Sequence, residues 1–336
     1  MKSPSLGTAR SSFSEREDVG GNFTMTDACT ISHGGGTRPG AFAVWVQAIR
    51  IFSLSAAAIP VLLGVAIAAR DGFFSPGRML LALMGAMAIQ AGTNLINDYY
   101  DFQSGADSNE SLGPSMVIQR GLLAPEQVWR GGIAAFAIGA AAGLALTYLC
   151  GWPILAIGIP SVAAGYFYTA RPVALAYVAL GELTVFLFMG PAIVMGAYYA
   201  MALKFTWGAL ATSIPLGFLV AGILHANNIR DIDSDRLHGK RTLATIIGRH
   251  GANYELLALD ALAYLTTLGA IAAGIIPWTG VIAFLSVPRA VGQIRIVMRE
   301  TSAKKLNLAL MRSVQLHMEY GLLMIVAFLS AAFLRW

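Results

Sequence analysis

From Ala41 onward the chain is a succession of long apolar stretches separated by short polar connectors. A helix needs about 20 mostly apolar residues to cross a bilayer. Nine stretches meet that measure, at roughly 42–69, 78–102, 131–150, 152–170, 175–200, 207–228, 254–276, 278–297 and 315–335. Pro60, Pro160, Pro191, Pro215 and Pro288 fall inside them, which membrane helices tolerate where neighbours re-satisfy the backbone. Small-residue steps such as Gly139 to Gly143 suit close helix contact. The pattern predicts an all-α, polytopic membrane protein with nine transmembrane helices in one domain, residues 41–336. Residues 1–40 break the pattern. They are polar, rich in Gly, Ser and Thr, and have no apolar segment of the kind a signal peptide needs. They are expected to form a disordered cytosolic tail, with Met25 an alternative start.

Composition sharpens this picture. Hydrophobic residues make up 56% of the 336 and charged residues 12%, against roughly 25% charged in soluble domains. Mean hydropathy is +0.64. So few charges cannot cover a water-facing surface, which excludes a soluble Rossmann, barrel or sandwich enzyme and a disordered protein. The net charge of +5 reads as Lys and Arg gathered in cytoplasmic loops rather than as a nucleic-acid footprint. With the N-terminus inside, 17 Lys and Arg fall on the cytoplasmic side and 4 outside, leaving Arg50 and Arg289 within helices. Cys29 and Cys150 stand far apart and suggest neither a disulfide framework nor a zinc site.

The 18 acidic residues are unevenly placed. Six fall in two clusters: Asn94-Leu95-Ile96-Asn97-Asp98-Tyr99-Tyr100-Asp101, continuing to Asp107, and Asn227-Asn228-Ile229-Arg230-Asp231-Ile232-Asp233-Ser234-Asp235. They close the second and sixth predicted helices, and the charge distribution places both on the cytoplasmic side. Asn94, Asp98 and Asp101 stand at i, i+4 and i+7, and Asn227, Asp231 and Asp235 at i, i+4 and i+8, so each set shares a helical face. Two acidic helix ends that face each other repel in a poorly hydrated site, and a divalent cation relieves the repulsion. Carboxylates beside amides suit Mg2+, which takes one or two carboxylates together with substrate phosphates. Two clusters suggest two ions clamping one diphosphate. One such cluster alone reads equally well as ordinary interfacial residues; two of matching form point to chemistry. Asp233 lies on the opposite face and reads as solvated.

Basic residues complete the pattern. Lys240 and Arg241 follow the second cluster and suit phosphate oxygens, Arg in bidentate fashion; the competing reading is cytoplasmic charge alone. The loop Gly113 to Gly121 is either a plain connector or a lid with Arg120 reaching inward. Arg50 lies within the first predicted helix. An intramembrane charge is costly and faces a polar cavity by default, which favours a diphosphate contact over an interfacial snorkel.

The two acidic segments resemble the aspartate-rich motifs of the UbiA superfamily of intramembrane prenyltransferases, over roughly residues 41–335. Three stretches resemble its 1,4-dihydroxy-2-naphthoate branch: Asn97-Asp98-Tyr99-Tyr100-Asp101 with Gly105, Asp107 and Gly113-Pro114; Asn227 to Asp231 leading to Gly239-Lys240-Arg241-Thr242-Leu243-Ala244; and Gly181-Glu182-Leu183 through Pro191. The first motif spaces its acids Asn-x3-Asp-x2-Asp, where the superfamily often has Asn-x3-Asp-x3-Asp. Whether Asp101 or Asp107 supplies the further metal contact therefore stays open.

The resemblance implies nine helices around a central cavity open sideways to lipid, and the 133-residue offset from Asp98 to Asp231 fits a duplicated helical unit. It implies a polyprenyl diphosphate donor, an aromatic acid acceptor that loses its carboxylate as CO2, and Mg2+ held by Asp98, Asp101, Asp231 and Asp235. Asn94, Asn97, Asn227, Asn228, Arg50, Lys240, Arg241 and Arg120 would hold substrate. Tyr99, Tyr100, Tyr166 and Tyr168 suit an allylic cation, or each is an interfacial tyrosine. Glu182 is either the group that orients or deprotonates the acceptor hydroxyl or a structural acid, and His225 either lines the same cavity or is a core histidine. The expected location is the inner (plasma) membrane, with the N-terminus and active-site loops cytoplasmic. Other acceptors, such as 4-hydroxybenzoate, homogentisate or a lipid, remain alternatives within the superfamily. A divalent-cation transporter is disfavoured, because transporters place such charges near the bilayer midplane.

Overall fold

The computed structural model describes residues 40–105 and 115–334. The expected tail, Asp107 and the Gly113-Pro114 step lie outside the described residues. Among the described residues eleven α-helices follow in order: α1 (Ala41–Ala48), α2 (Ser55–Arg70), α3 (Pro76–Ser104), α4 (Pro125–Cys150), α5 (Pro153–Tyr166), α6 (Gly181–Leu187), α7 (Ile193–Ala202), α8 (Trp207–Leu237), α9 (Leu243–Ala272), α10 (Val287–Arg299) and α11 (Ala303–Leu334). Proline at the first helical position starts α3, α4 and α5, where its missing N–H costs nothing. Thr206 and Thr242 cap α8 and α9 by accepting from the amides of Ala209 and Thr245.

Eight helical segments among the described residues are long and apolar enough to cross a membrane. The predicted span at 152–170 is helical only over the 14 residues Pro153–Tyr166, so nine full-length spans are not reproduced. Three other segments differ from expectation. The last span begins at Ala303, a full three turns before the predicted 315. The span predicted at 278–297 opens with a 3-10 segment, Trp278–Ser286. The first predicted span is broken. α1 ends at Ala48, Arg50 sits in the left-handed region at φ 55°, and a 3-10 turn over Ile51–Leu54 leads into α2. Arg50 is therefore not inside a continuous helix. The amide of Asn94 braces the break: it donates to the Ile49 carbonyl at 2.9 Å, a backbone group that the lost helical bonds leave free, and to the Ser53 hydroxyl at 2.8 Å.

α6 and α7 form one span through a five-residue π-helical turn, Phe188–Ala192, around Pro191. The wider turn absorbs the proline's missing donor. Beside it Gly190 lies against α8 so closely that a Cβ there would stand 2.5 Å from the Gly217 Cα. Small residues at such a crossing let two membrane helices approach backbone to backbone.

α3 packs along α4, and α8 along α9, so each motif-bearing helix is braced by the helix that follows it. α2 packs against α7 and α11, and α11 also lies on α8. Ile59, Leu63, Val194, Tyr198, Leu216, Tyr320 and Phe328 join these helices in one apolar core. Large side chains such as Leu80, Leu144, Leu265 and Phe333 point outward, as a surface in hydrocarbon allows. The chain is a multi-pass membrane protein.

Candidate functional site

A cavity of about 620 Å3 runs between α3, α4, α5, the α6–α7 span, α8 and α11. One end is polar, lined by Arg50, Asn94, Asn97, Asn227, Arg230 and Asn307, with Tyr168 on its wall. The remainder is walled mostly by small and apolar groups, among them Ala82, Gly139, Leu146, Ile157, Phe188 and Ala197, with Gln90, Thr93, Ser161 and Thr184 as its polar members. Along α3 the lining extends from Asn97 back to Ala82, about 22 Å at the helical rise of ~1.5 Å per residue. The shape is a polar head joined to a long apolar channel.

At the head, each motif sets an arginine against an aspartate. The Arg50 guanidinium pairs with Asp98 Oδ1, and the Ser115 hydroxyl donates to Asp98 Oδ2. Gln47 holds the Ser115 carbonyl at 2.6 Å. On α8, Arg230 donates to both oxygens of Asp231, at 2.7 and 2.6 Å, and to the side-chain oxygens of Asn227 and Asn307, each at 2.9 Å. Both guanidiniums line the cavity while an aspartate anchors each from behind. Such bidentate, planar donors match phosphate oxygens.

The remaining acids lie across the connectors. The Tyr177 hydroxyl donates to Asp101 Oδ1 at 2.7 Å. Lys240 Nζ stands 3.7 Å from Asp235 Oδ1 and 5.4 Å above the Tyr177 ring. Burial alone would lower the Lys240 pKa, but the Asp101 and Asp235 carboxylates, with Tyr177 and Tyr168, hold it above the ordinary lysine range. For Tyr177, burial first and then the Asp101 charge push the phenol up. Asp101, Asp235, Lys240 and Tyr177 thus form one electrostatic unit joining the ends of α3 and α8.

The structure brings together Asp98, Asp101, Asp231, Asp235, Arg50, Asn94, Asn97, Asn227, Lys240 and Tyr168 around this end. Among the described residues no three His, Cys, Asp or Glu side chains are placed to hold a metal ion together: Asp98 and Asp231 are held by arginines, Asp101 by Tyr177, and Asp235 lies beside Lys240. Asp233 pairs with Arg249 at the surface, as its opposite helical face implies. Arg120 and Arg241 do not join the site. Both are exposed, and Arg241 is fixed through its backbone amide on the Tyr177 carbonyl at 3.3 Å. Asn228 faces Glu182, donating to its Oε1 at 2.9 Å, and does not line the cavity. Sequence reasoning missed Ser115, Tyr177, Arg230 as a cavity-lining residue, and Asn307. Arg230 lay in view inside the second motif. Asn307 gave no signal, because it precedes the stretch read as the last span.

The chain matches the model of the UbiA prenyltransferase family over residues 57–317. It is 33% identical over 291 residues to a 1,4-dihydroxy-2-naphthoate octaprenyltransferase of Bacillus subtilis, covering 85% of this chain and 92% of that one. A protein of the same name from Mycobacterium tuberculosis is 35% identical over 256 residues, covering 76% of this chain and 87% of that one. Among solved structures the fold is similar to a UbiA homolog from Aeropyrum pernix, with TM-score 0.64 and 18% identity over 80% of this chain and 97% of that one. It is also similar to a UbiA homolog from Archaeoglobus fulgidus bound to GPP and Mg2+, with TM-score 0.57 and 18% identity over 84% of this chain and 99% of that one. The chain belongs to the UbiA prenyltransferase family.

Proposed function

We propose that the protein transfers a polyprenyl group from polyprenyl diphosphate to 1,4-dihydroxy-2-naphthoate, with loss of diphosphate and CO2, as a step of menaquinone biosynthesis. The observation that carries this reading is the cavity itself: a head with two cavity-lining guanidiniums opens into an apolar channel, the two together spanning about 22 Å along α3, which matches an anionic group on a long isoprenoid. The names of the Bacillus and Mycobacterium relatives support the naphthoate as acceptor.

The residues fit a divalent cation. The donor set is oxygen throughout, and Asn97 Oδ1 and Asp235 Oδ2 are buried without a hydrogen-bond partner, as ligand atoms awaiting a cation would be. Asp98, Asp101, Asp231 and Asp235 are the proposed carboxylate ligands of Mg2+, with Asp107 adjoining in sequence. Bound Mg2+ supplies charge neutralisation for the diphosphate leaving group. Arg50 and Arg230 hold phosphate oxygens from the cavity wall, with Asn97 and Asn227 beside them. Lys240, fixed by Asp235 and Tyr177, adds a charge that does not titrate near neutrality. These groups stabilise the negative charge that grows on the bridging oxygen as the allylic C–O bond breaks. The apolar channel keeps water from the allylic cation, and the Tyr168 ring stands in the wall beside the reacting end. Glu182 is assigned to the acceptor hydroxyl. The motif-bearing helix ends face the cytoplasm of a plasma membrane, in keeping with the distribution of Lys and Arg.

The test supplies membranes containing the protein with polyprenyl diphosphate, Mg2+ and either 1,4-dihydroxy-2-naphthoate or 4-hydroxybenzoate. A prenylated naphthoquinol is the expected product. Product from 4-hydroxybenzoate alone overturns the acceptor and keeps the donor chemistry.

A further inference from the structure

The groove between α10 and α11 carries a patch of positive charge that the cavity does not use. The two helices run antiparallel: Arg289 donates to Gln315 at 2.8 Å, Gly292 meets Arg312, and Lys305 pairs with Glu300 at 2.9 Å. Asn307 of α11 meets Arg230 close to this last pair, so the groove opens at the same end of the molecule as the head of the cavity.

Gly292 forms the floor of the groove. The Arg312 guanidinium lies directly on it, and a Cβ there would collide with Nη1. Gly292, Arg295 and Arg299 stand at i, i+3 and i+7, on one face of α10. Lys304 precedes Arg312 by two turns on α11. Arg295, Arg299, Lys304 and Arg312 are all exposed. The neighbouring acids are already taken, Glu300 by Lys305 and Glu319 by Arg289, and among the described residues nothing pairs with these four cations. From Gly292 to Arg299 the patch runs about 10 Å at the helical rise, inside a segment long and apolar enough to cross a membrane. Like charges so placed repel, and a guanidinium that faces hydrocarbon is costly. An anion in the groove relieves both.

Further along the helices the same face turns apolar. Arg312, Gln315, Glu319, Leu322 and Val326 stand at i, i+3, i+7, i+10 and i+14 on α11. Leu322 and Val326 are exposed, as are Val281 and Leu285 ahead of α10. A ligand that matches the whole surface is anionic at one end and apolar along the rest.

We propose that this groove binds an anionic phospholipid, its phosphodiester among Arg295, Arg299, Lys304 and Arg312 and its acyl chains along the apolar face beyond Glu319. A basic pocket between helices at a membrane face suits such a head group. The seat of Arg312 on Gly292 sets the groove apart from Lys and Arg that only fix orientation. The site lies outside the cavity lining and stands independently of the prenyl-transfer reading.

The test titrates the purified full chain in neutral detergent with phosphatidylglycerol or phosphatidylcholine and counts bound lipid by native mass spectrometry. The parent is expected to bind phosphatidylglycerol about tenfold tighter or more. Arg295→Gln combined with Arg312→Gln is expected to bring the two lipids within about twofold of each other. Gly292→Ala keeps every charge but lifts Arg312 from its seat, and is expected to lose part of the preference; a diffuse field would lose none. Arg130→Gln combined with Arg171→Gln removes the same charge from exposed positions elsewhere and is expected to keep the preference. Thermal midpoints confirm that each variant is folded. Equal binding of both lipids by the parent, parental preference in either groove variant, or an equal loss in the Arg130 and Arg171 control overturns the proposal. Displacement of phosphatidylglycerol by free glycerol phosphate assigns the groove to a soluble anion and overturns it as well.

Discussion

Arg50 and Asp98 form an ion pair that ties a left-handed backbone turn to the first acidic motif. A non-glycine residue at φ 55° is uncommon, and such strain persists only where the surroundings over-determine it. Here the Asn94 amide fixes the turn through Ile49 and Ser53, one helical turn before Asp98 on the same face of α3. The second motif repeats the pairing without the strained turn, since Arg230 and Asp231 are adjacent on α8. In both, the aspartate sets where a cavity-lining guanidinium stands.

Removing Arg50 leaves the buried Asp98 carboxylate with only the Ser115 hydroxyl. Breaking a buried pair from one side costs about 3 kcal/mol or more. Arg50→Gln is expected to lower the thermal midpoint in detergent and to weaken diphosphate binding together. A variant with parental stability would show that the pair is not coupled to the fold.

Arg230 makes four hydrogen bonds in a fixed plane. Lysine cannot reproduce that fork. Arg230→Lys is expected to lose about tenfold to a hundredfold in kcat/KM for the donor, as hydrogen bonds to charged groups imply at about 1.5–3 kcal/mol. Asn307→Ala, which frees one arm, is expected to lose less. Steady-state kinetics on the two variants orders the effects.

The fold's broad plan was legible from residue patterning, and its local breaks were not. Apolar runs of membrane-spanning length marked most spans, and the i, i+4 spacing placed Asn227 against Asp231, which the structure joins at 3.3 Å. The break at Ile49–Arg50 escaped because the side chain that braces it, Asn94, is 45 residues away. The early start of α11 escaped because Lys304, Lys305 and Asn307 hide a helix that runs beyond the apolar stretch. Arg120 and Arg241 were suggested by charge and position alone; in the structure both side chains are exposed, and the Arg241 backbone pairs with Tyr177 and Val178.

The channel wall offers a test of donor length. Gly143 and Gly158 line the cavity with open space where a side chain would be. Gly158→Leu is expected to shorten the longest prenyl chain transferred, read by mass spectrometry of products. Gly190→Ala is a contrasting control, because its Cβ meets the α8 backbone. It is expected to destabilise by about 1–3 kcal/mol, the usual cost of overpacking, without a change in chain length.

Lys240 sets the alkaline behaviour. Its pKa is raised in the fold, so its stabilising contribution is fully present below the unfolded lysine value of about 10.4 and is lost only as pH rises through the higher folded value. No alkaline limb from Lys240 is expected in the rate profile below pH ~10. Lys240→Met is expected to weaken diphosphate binding equally across that range. A loss confined to acidic pH would contradict the assignment.

The central claim is that both motifs hold one diphosphate. Binding of a labelled polyprenyl diphosphate in the presence of Mg2+, measured on purified protein for the parent, Asp98→Ala and Asp231→Ala, tests it most directly. Tight binding is expected in the parent, falling away in both variants and on chelation of Mg2+. Undiminished binding in either variant, in protein that remains folded, would contradict it.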